Sequence, residues 1–204
     1  MNINTLNFRF YSINLPENDD HFREYVDLSK YEQLVDQTRH LEKVRTSNNI
    51  CFLDEDKLDS SSQILKEFDE KKVFKLKIAE KPVFIAESKI QWCGILFNIE
   101  IHFFQDKIFY YKLKALLGLR KQNRNEIIRL LNYEYWDTLT LFFDHHAQII
   151  EDDLGSYISI EENRGSFVIN YFNLHSGIFK VINESFSEKG KLTTNGELHI
   201  REAI

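Results

Sequence analysis

The stretch at residues 90–117, IQWCGILFNIEIHFFQDKIFYYKLKALL, constrains the fold more than any other. Isoleucine, phenylalanine and tyrosine crowd both halves, and such residues fit a pleated, half-buried surface. The polar step Gln105-Asp106-Lys107 between them predicts two strands folded back on each other. A hairpin this apolar has to be covered, so the chain carries a real core.

Around it, alternation and spacing predict the remaining elements. Leu6, Phe8 and Phe10 alternate with polar residues as a short strand. Pro16 and the run Glu17-Asn18-Asp19-Asp20 then open a helix. Phe22, Tyr25, Val26, Leu34, Val35, Thr38 and Leu41 carry it at three- and four-residue steps through about Arg45. Residues 50–53 read as a brief strand, and Ser62 caps a short helix bearing Ile64, Leu65 and Phe68. Strands follow at 73–78 and 83–86, ahead of the hairpin. Asn123 with Glu126 resembles a capping box for a short helix through Leu131. Residues 138–143, 157–160 and 167–171 are further strands, with Asn163-Arg164-Gly165 as a hairpin turn. Residues 178–182 form a last strand candidate.

This order predicts an α+β fold with a mostly antiparallel sheet, an N-terminal helical region and one short helix after the central hairpin. The 204 residues suit a single domain. It divides into a helix-rich part at 1–72, a sheet-rich core at 73–182, and a polar excursion with a terminal segment at 183–204.

Composition narrows the function classes. Hydrophobic residues at 43% are ample for a core and exclude global disorder. Cys51 and Cys93 lie in apolar runs and read as buried thiols of a reducing compartment, with one disulfide as the alternative. The N-terminus lacks a basic region and an unbroken apolar run, and no stretch approaches the ~20 apolar residues that span a bilayer. A cytoplasmic location without a membrane is the expectation. Residues 1–60 hold 12 acidic and 7 basic side chains, residues 61–140 hold 10 and 14, and residues 141–204 hold 10 and 5. An acidic total argues against nucleic acid as a partner, whereas acidic ends suit a basic protein.

The sharpest chemical motif is Asp144-His145-His146. It resembles the Asp-His-His motif of DHH phosphoesterases, in which acidic and imidazole groups hold metal to activate water. That family has further aspartate motifs, which this chain does not match. On a strand, adjacent histidines point to opposite faces, so the pair is expected to be a polar strand end or turn and not a metal site. His102, between Ile101 and Phe103, reads as a packed, hydrogen-bonded core histidine. Nucleophile elbows, phosphate loops and dinucleotide fingerprints are missing from the sequence. Lys112, Lys114, Arg120, Lys121, Arg124 and Arg129 read as a solvated basic face, and Tyr135-Trp136 as core closure or an interface anchor. The expectation is a non-catalytic chain without metal or other cofactor. The hydrolase using Asp144, His145 and His146 stands as the alternative, beside a structural or adaptor module.

FNIEIHFFQDKIFYYKLKAL, the helix at 126–131 and DDLGSYISIEENRGSFVINYF together resemble the strand–helix–hairpin ending of bacterial immunity proteins of polymorphic or type VI secreted toxins. The likeness is one of organisation and covers about half the chain. It implies an inhibitor that binds a cognate toxin and occludes it. An inhibitor of that kind relies on shape and complementary charge. The acidic residues Asp54, Glu55, Asp56, Asp59, Glu151, Asp152 and Asp153 are its candidate partner-binding side chains.

Overall fold

The computed structural model describes residues 23–26, 28–50, 73–78, 81–92, 94–105, 107–115, 119–135, 144–163, 165–182 and 184. Two helices come first, α1 (Arg23–Val26) and α2 (Ser29–His40), then β1 (Glu42–Thr46). The meander β2 (Val73–Ile78), β3 (Lys81–Trp92), β4 (Ile95–Phe104) and β5 (Lys107–Ala115) leads to α3 (Lys121–Tyr135). Strands β6 (Gln148–Asp152), β7 (Ser156–Asn163) and β8 (Ser166–Asn173) follow, and residues 177–182 are helical. The strands form one eight-stranded sheet in the order β1-β6-β7-β8-β5-β4-β3-β2. All neighbours are antiparallel except β1 and β6, which run parallel. The α+β fold with a mostly antiparallel sheet is therefore as expected. Among the described residues, no helix is long and apolar enough to cross a membrane.

Strand alternation sends side chains to two cores. On one face, Ile99, Ile101, Phe103, Leu113, Ile158, Ile160 and Ile169 pack under Ile127, Leu131 and Tyr135 of α3. Those three helical residues recur at four-residue steps, so α3 shows the sheet a single apolar stripe. On the other face, Ile85, Phe109, Tyr110 and Phe172 meet Tyr25 of α1, Tyr31 and Leu34 of α2, and Phe179. The β4–β5 register shifts between His102 and Phe103. His102 pairs with Tyr110 and Phe103 with Ile108, which leaves Phe109 as the extra residue of a bulge. The bulge is why two consecutive aromatics, Phe109 and Tyr110, both reach the α2 side.

Four local expectations are corrected. The N-terminal helix does not run to Arg45: it breaks at buried Leu28 (φ 69°) and ends at His40, where Leu41 turns extended. The first hairpin arm begins at Ile95, because residues 90–92 complete β3. Asn123 and Glu126 make no capping box, since α3 starts at Lys121 and Glu126 instead pairs with Arg129. Residues 178–182 are helical: Ile178, Phe179 and Ile182 are fully buried at one-, three- and four-residue steps, a helical and not an alternating pattern. The expected elements at 6–10, 62–68 and 138–143, the strand beyond Ile50, and Cys51, Cys93 and Trp136 lie outside the described residues.

A polar row crosses the α2 face of the sheet. Ser159, Asn170, Lys112, Glu100 and Glu87 are register partners on β7, β8, β5, β4 and β3, and all are buried. Lys112 Nζ lies 3.3 Å from Glu100 Oε1, 2.8 Å from Glu24 Oε1 and 2.9 Å from the Tyr25 hydroxyl. Tyr25 donates to Glu100 Oε2. Lys30 of α2 pairs with Glu161 at 2.7 Å, and Asn170 donates to the same oxygen at 2.8 Å. These contacts tie both N-terminal helices to the sheet by partners that a buried charge requires.

Candidate metal centre

Of the two arrangements expected at residues 144–147, strand end or turn, the structure has the turn. The Asp144 carbonyl accepts from the amides of Ala147 (2.9 Å) and Gln148 (2.8 Å). Its carboxylate accepts from the His146 amide at 3.1 Å, and its own amide donates to Gln148 Oε1 at 3.0 Å. An aspartate that bonds the backbone two residues on is a turn former. Asp144 thus shapes the loop that launches β6. The turn also abolishes the opposed arrangement that a strand would impose, because the rings of His145 and His146 lie side by side with centroids 4.0 Å apart.

Glu162 completes the cluster from β7. Alternation places Ile158, Ile160 and Glu162 on the α3 face of the sheet, two positions apart. His145 Nε2 lies 3.1 Å from Glu162 Oε2, and the other carboxylate oxygen pairs with the Arg124 guanidinium of α3. One ligand atom each from His145, His146 and Glu162 all fall within 4.8 Å of one another. His145 and Glu162 are half-buried and His146 is exposed, so the group opens to solvent on one side. Burial and the neighbouring His146 hold the His145 imidazole below its ordinary value, against the pull of Asp144. A neutral imidazole is the form that ligates metal.

The donor set suits a divalent ion. Imidazole nitrogen with a carboxylate oxygen is a zinc-type or similar transition-metal set. Ligands around a tetrahedral zinc ion stand about 3.4 Å apart. The His145–Glu162 pair, at 3.1 Å, is close to that spacing, and His146 brings the third ligand atom within 4.8 Å. The expectation of a chain without a catalytic centre is therefore corrected: the turn brings two imidazoles together with a carboxylate, a cluster consistent with a metal-binding centre.

The other candidates fall elsewhere. Asp54, Glu55, Asp56 and Asp59 lie outside the described residues. Glu151 pairs with Lys43 (3.0 Å) and Arg45 (3.8 Å) and accepts from Tyr157. Asp152 is buried and accepts from the amides of Ile50, Leu154 and Ser156 at 2.8, 2.9 and 2.7 Å. Asp153 is exposed. The basic residues divide between the two faces, with Lys112 and Lys114 on the α2 side and Arg120, Lys121, Arg124 and Arg129 at α3.

His102 is fully buried, as expected of a core histidine. Its Nδ1 lies 2.9 Å from the Tyr31 hydroxyl, while Nε2 faces Glu100 Oε2 at 3.9 Å, beyond hydrogen-bond range. The facing carboxylate favours the Nε2–H tautomer, in which Nδ1 accepts from Tyr31. Burial holds this imidazole below its ordinary value despite Glu100. Burial alone would raise the Glu100 carboxyl, but His102, Lys112 and Tyr25 outweigh it and set the group at about 2.

Sequence reasoning missed Glu162 and Arg124 as members of one site. Glu162 lies sixteen residues beyond His146, and its signal was the continuing alternation Ile158, Ile160, Glu162 up to the hairpin turn. No family model matches the chain, and no curated protein or solved structure matches it significantly.

Proposed function

We propose that the protein is a divalent-metal-binding hydrolase whose centre is His145, His146 and Glu162. The observation that carries the reading is the convergence of three ligand atoms within 4.8 Å from a turn and a neighbouring strand. Three protein ligands leave a coordination position for water, and a metal of this class would supply Lewis acidity and a nucleophile at neutral pH. The chain's own groups orient it: Asp144 holds the turn and the Glu162 carboxylate faces His145. The side open at His146 admits a substrate. The Asp-His-His resemblance fits this reading in part, with Asp144 as turn former and Glu162 as the carboxylate ligand. The toxin-inhibitor role implied by the likeness to immunity proteins has no observation at this site in its favour.

The test is equilibrium dialysis of the purified chain against Zn(II), Mn(II) and Co(II), with metal counted by mass spectrometry. Hydrolysis of bis(p-nitrophenyl) phosphate is then measured on the loaded protein. About one ion per chain is expected, with loss of both ion and turnover in H145A, H146A and E162Q. Binding that survives the H145A/E162Q double variant would overturn the site. Full occupancy without turnover would remove the hydrolytic part and leave a metal-binding protein.

A further inference from the structure

Arg124 stands in an arrangement that its own stability contribution does not explain. Its guanidinium pairs with Glu162 while its Nε is buried and, among the described residues, has no hydrogen-bond partner. A buried donor left without a partner is destabilising. A partly exposed ion pair is screened by solvent and returns little. The two side chains are 31% and 21% exposed, so the pair does not offset that donor by itself.

The geometry points to a second role: we infer that Arg124 is a positioning residue, which holds one oxygen of Glu162 so that the carboxylate presents only the other to a metal at His145 and His146. The inference rests on the metal-centre reading above. Arg124 engages Oε1, and Oε2 is the oxygen turned to His145 Nε2 at 3.1 Å. A carboxylate with both oxygens free can chelate an ion through both. One with an oxygen held in a guanidinium pair binds through the other alone. Arg124 sits in the first turn of α3 and Glu162 near the end of β7, so helix packing on the sheet sets the carboxylate's angle. Partners that fix ligand orientation in this way typically alter metal affinity by 10–100-fold when removed.

The experiment is a Co(II) titration of wild type, R124Q and R124K, read by visible absorption. Wild type should show the intense bands of a four-coordinate ion. R124Q should bind ~10–100-fold more weakly. Its bands should also weaken several-fold as the second Glu162 oxygen joins and the coordination number rises. R124K, which keeps the charge without the fork, should recover affinity in part. If wild type binds Co(II) and R124Q gives the same spectrum and affinity, the positioning role is overturned while the metal centre stands. If wild type binds no Co(II), both fall together. Matched circular dichroism separates either result from misfolding, and R124K carries the test if R124Q does not fold.

Discussion

In the Glu100→Gln variant the polar row under α1 keeps its shape and loses the buried carboxylate charge that faces Lys112. Glu100 moves from an ordinary 4.5 to about 2 on folding. At ~1.4 kcal/mol per pH unit that change is worth about 3 kcal/mol. Lys112 keeps half-exposed Glu24 at 2.8 Å, which softens the loss, so about 2–3 kcal/mol is expected at pH 7. With a urea m-value of ~2 kcal/mol/M, the midpoint should fall by ~1–1.5 M. Urea melts followed by circular dichroism and tryptophan fluorescence read this directly. The pH dependence has a defined sign. A depressed carboxyl stabilises fully above its unfolded value of 4.5 and loses that contribution as pH falls toward about 2. The gap between wild type and variant should therefore close as pH falls through 4.5 toward about 2. His102 adds to the acid limb, because its depressed folded value makes stability fall as pH drops below its ordinary 6.5, and Glu100 opposes that depression, so the variant loses more there. A pH 7 loss under about 0.5 kcal/mol, or a gap that does not narrow in acid, would refute the assignment of Glu100 as an ionised anchor.

Three shorter predictions test other parts of the molecule. Ile127→Ala removes a fully buried contact between α3 and the sheet and should cost ~2–4 kcal/mol in a denaturant melt; a loss under 1 kcal/mol would mean that α3 is not seated as described. Gly155→Ala forces a side chain into φ +73° and against the His175 ring, so it should cost ~1–2 kcal/mol. Gly165→Ala, strained in φ but in open space, should cost less, and the reverse order would count against the described turn. Zinc at ~100 times its dissociation constant should stabilise wild type by about 2.7 kcal/mol and leave H146A unmoved; an equal thermal shift in both would place the ion elsewhere.

The sheet was legible where alternation is two-sided and strong. Strands β4, β5, β7 and β8 carry isoleucine and aromatics at every second position, and the turns at Gln105 and Gly165 lie where their residues predict. β1 was not legible: in Glu42–Thr46 only Thr46 is buried, so its sequence has no apolar alternation, and it reads as the tail of the preceding helix. Its strand character comes from β6, which is remote in sequence. Residues 178–182 are short and apolar, and periodicity does not separate helix from strand in so brief a run. At the site, all three members of Asp144-His145-His146 were visible and their directions were not. Whether two adjacent histidines diverge or converge depends on the backbone beneath them, and that was decided by two hydrogen bonds to the Asp144 carbonyl. Glu162 was missed because the strand was expected to stop at Ile160.

The parallel β1–β6 pair has a bearing on how the molecule is assembled. Glu42 pairs with Gln148 and makes a side-chain hydrogen bond across a separation of 106 residues. The meander from β2 to β5 needs only neighbours, whereas β1 has no template until the turn at Asp144 and β6 exist. Contacts so distant are slow to form, because the chain must close a long loop before they reward it. The first strand made is then the last one seated. The same Asp144 turn that gathers the histidines also starts β6, so the histidine cluster and the strand on which the N-terminal arm docks grow from one turn.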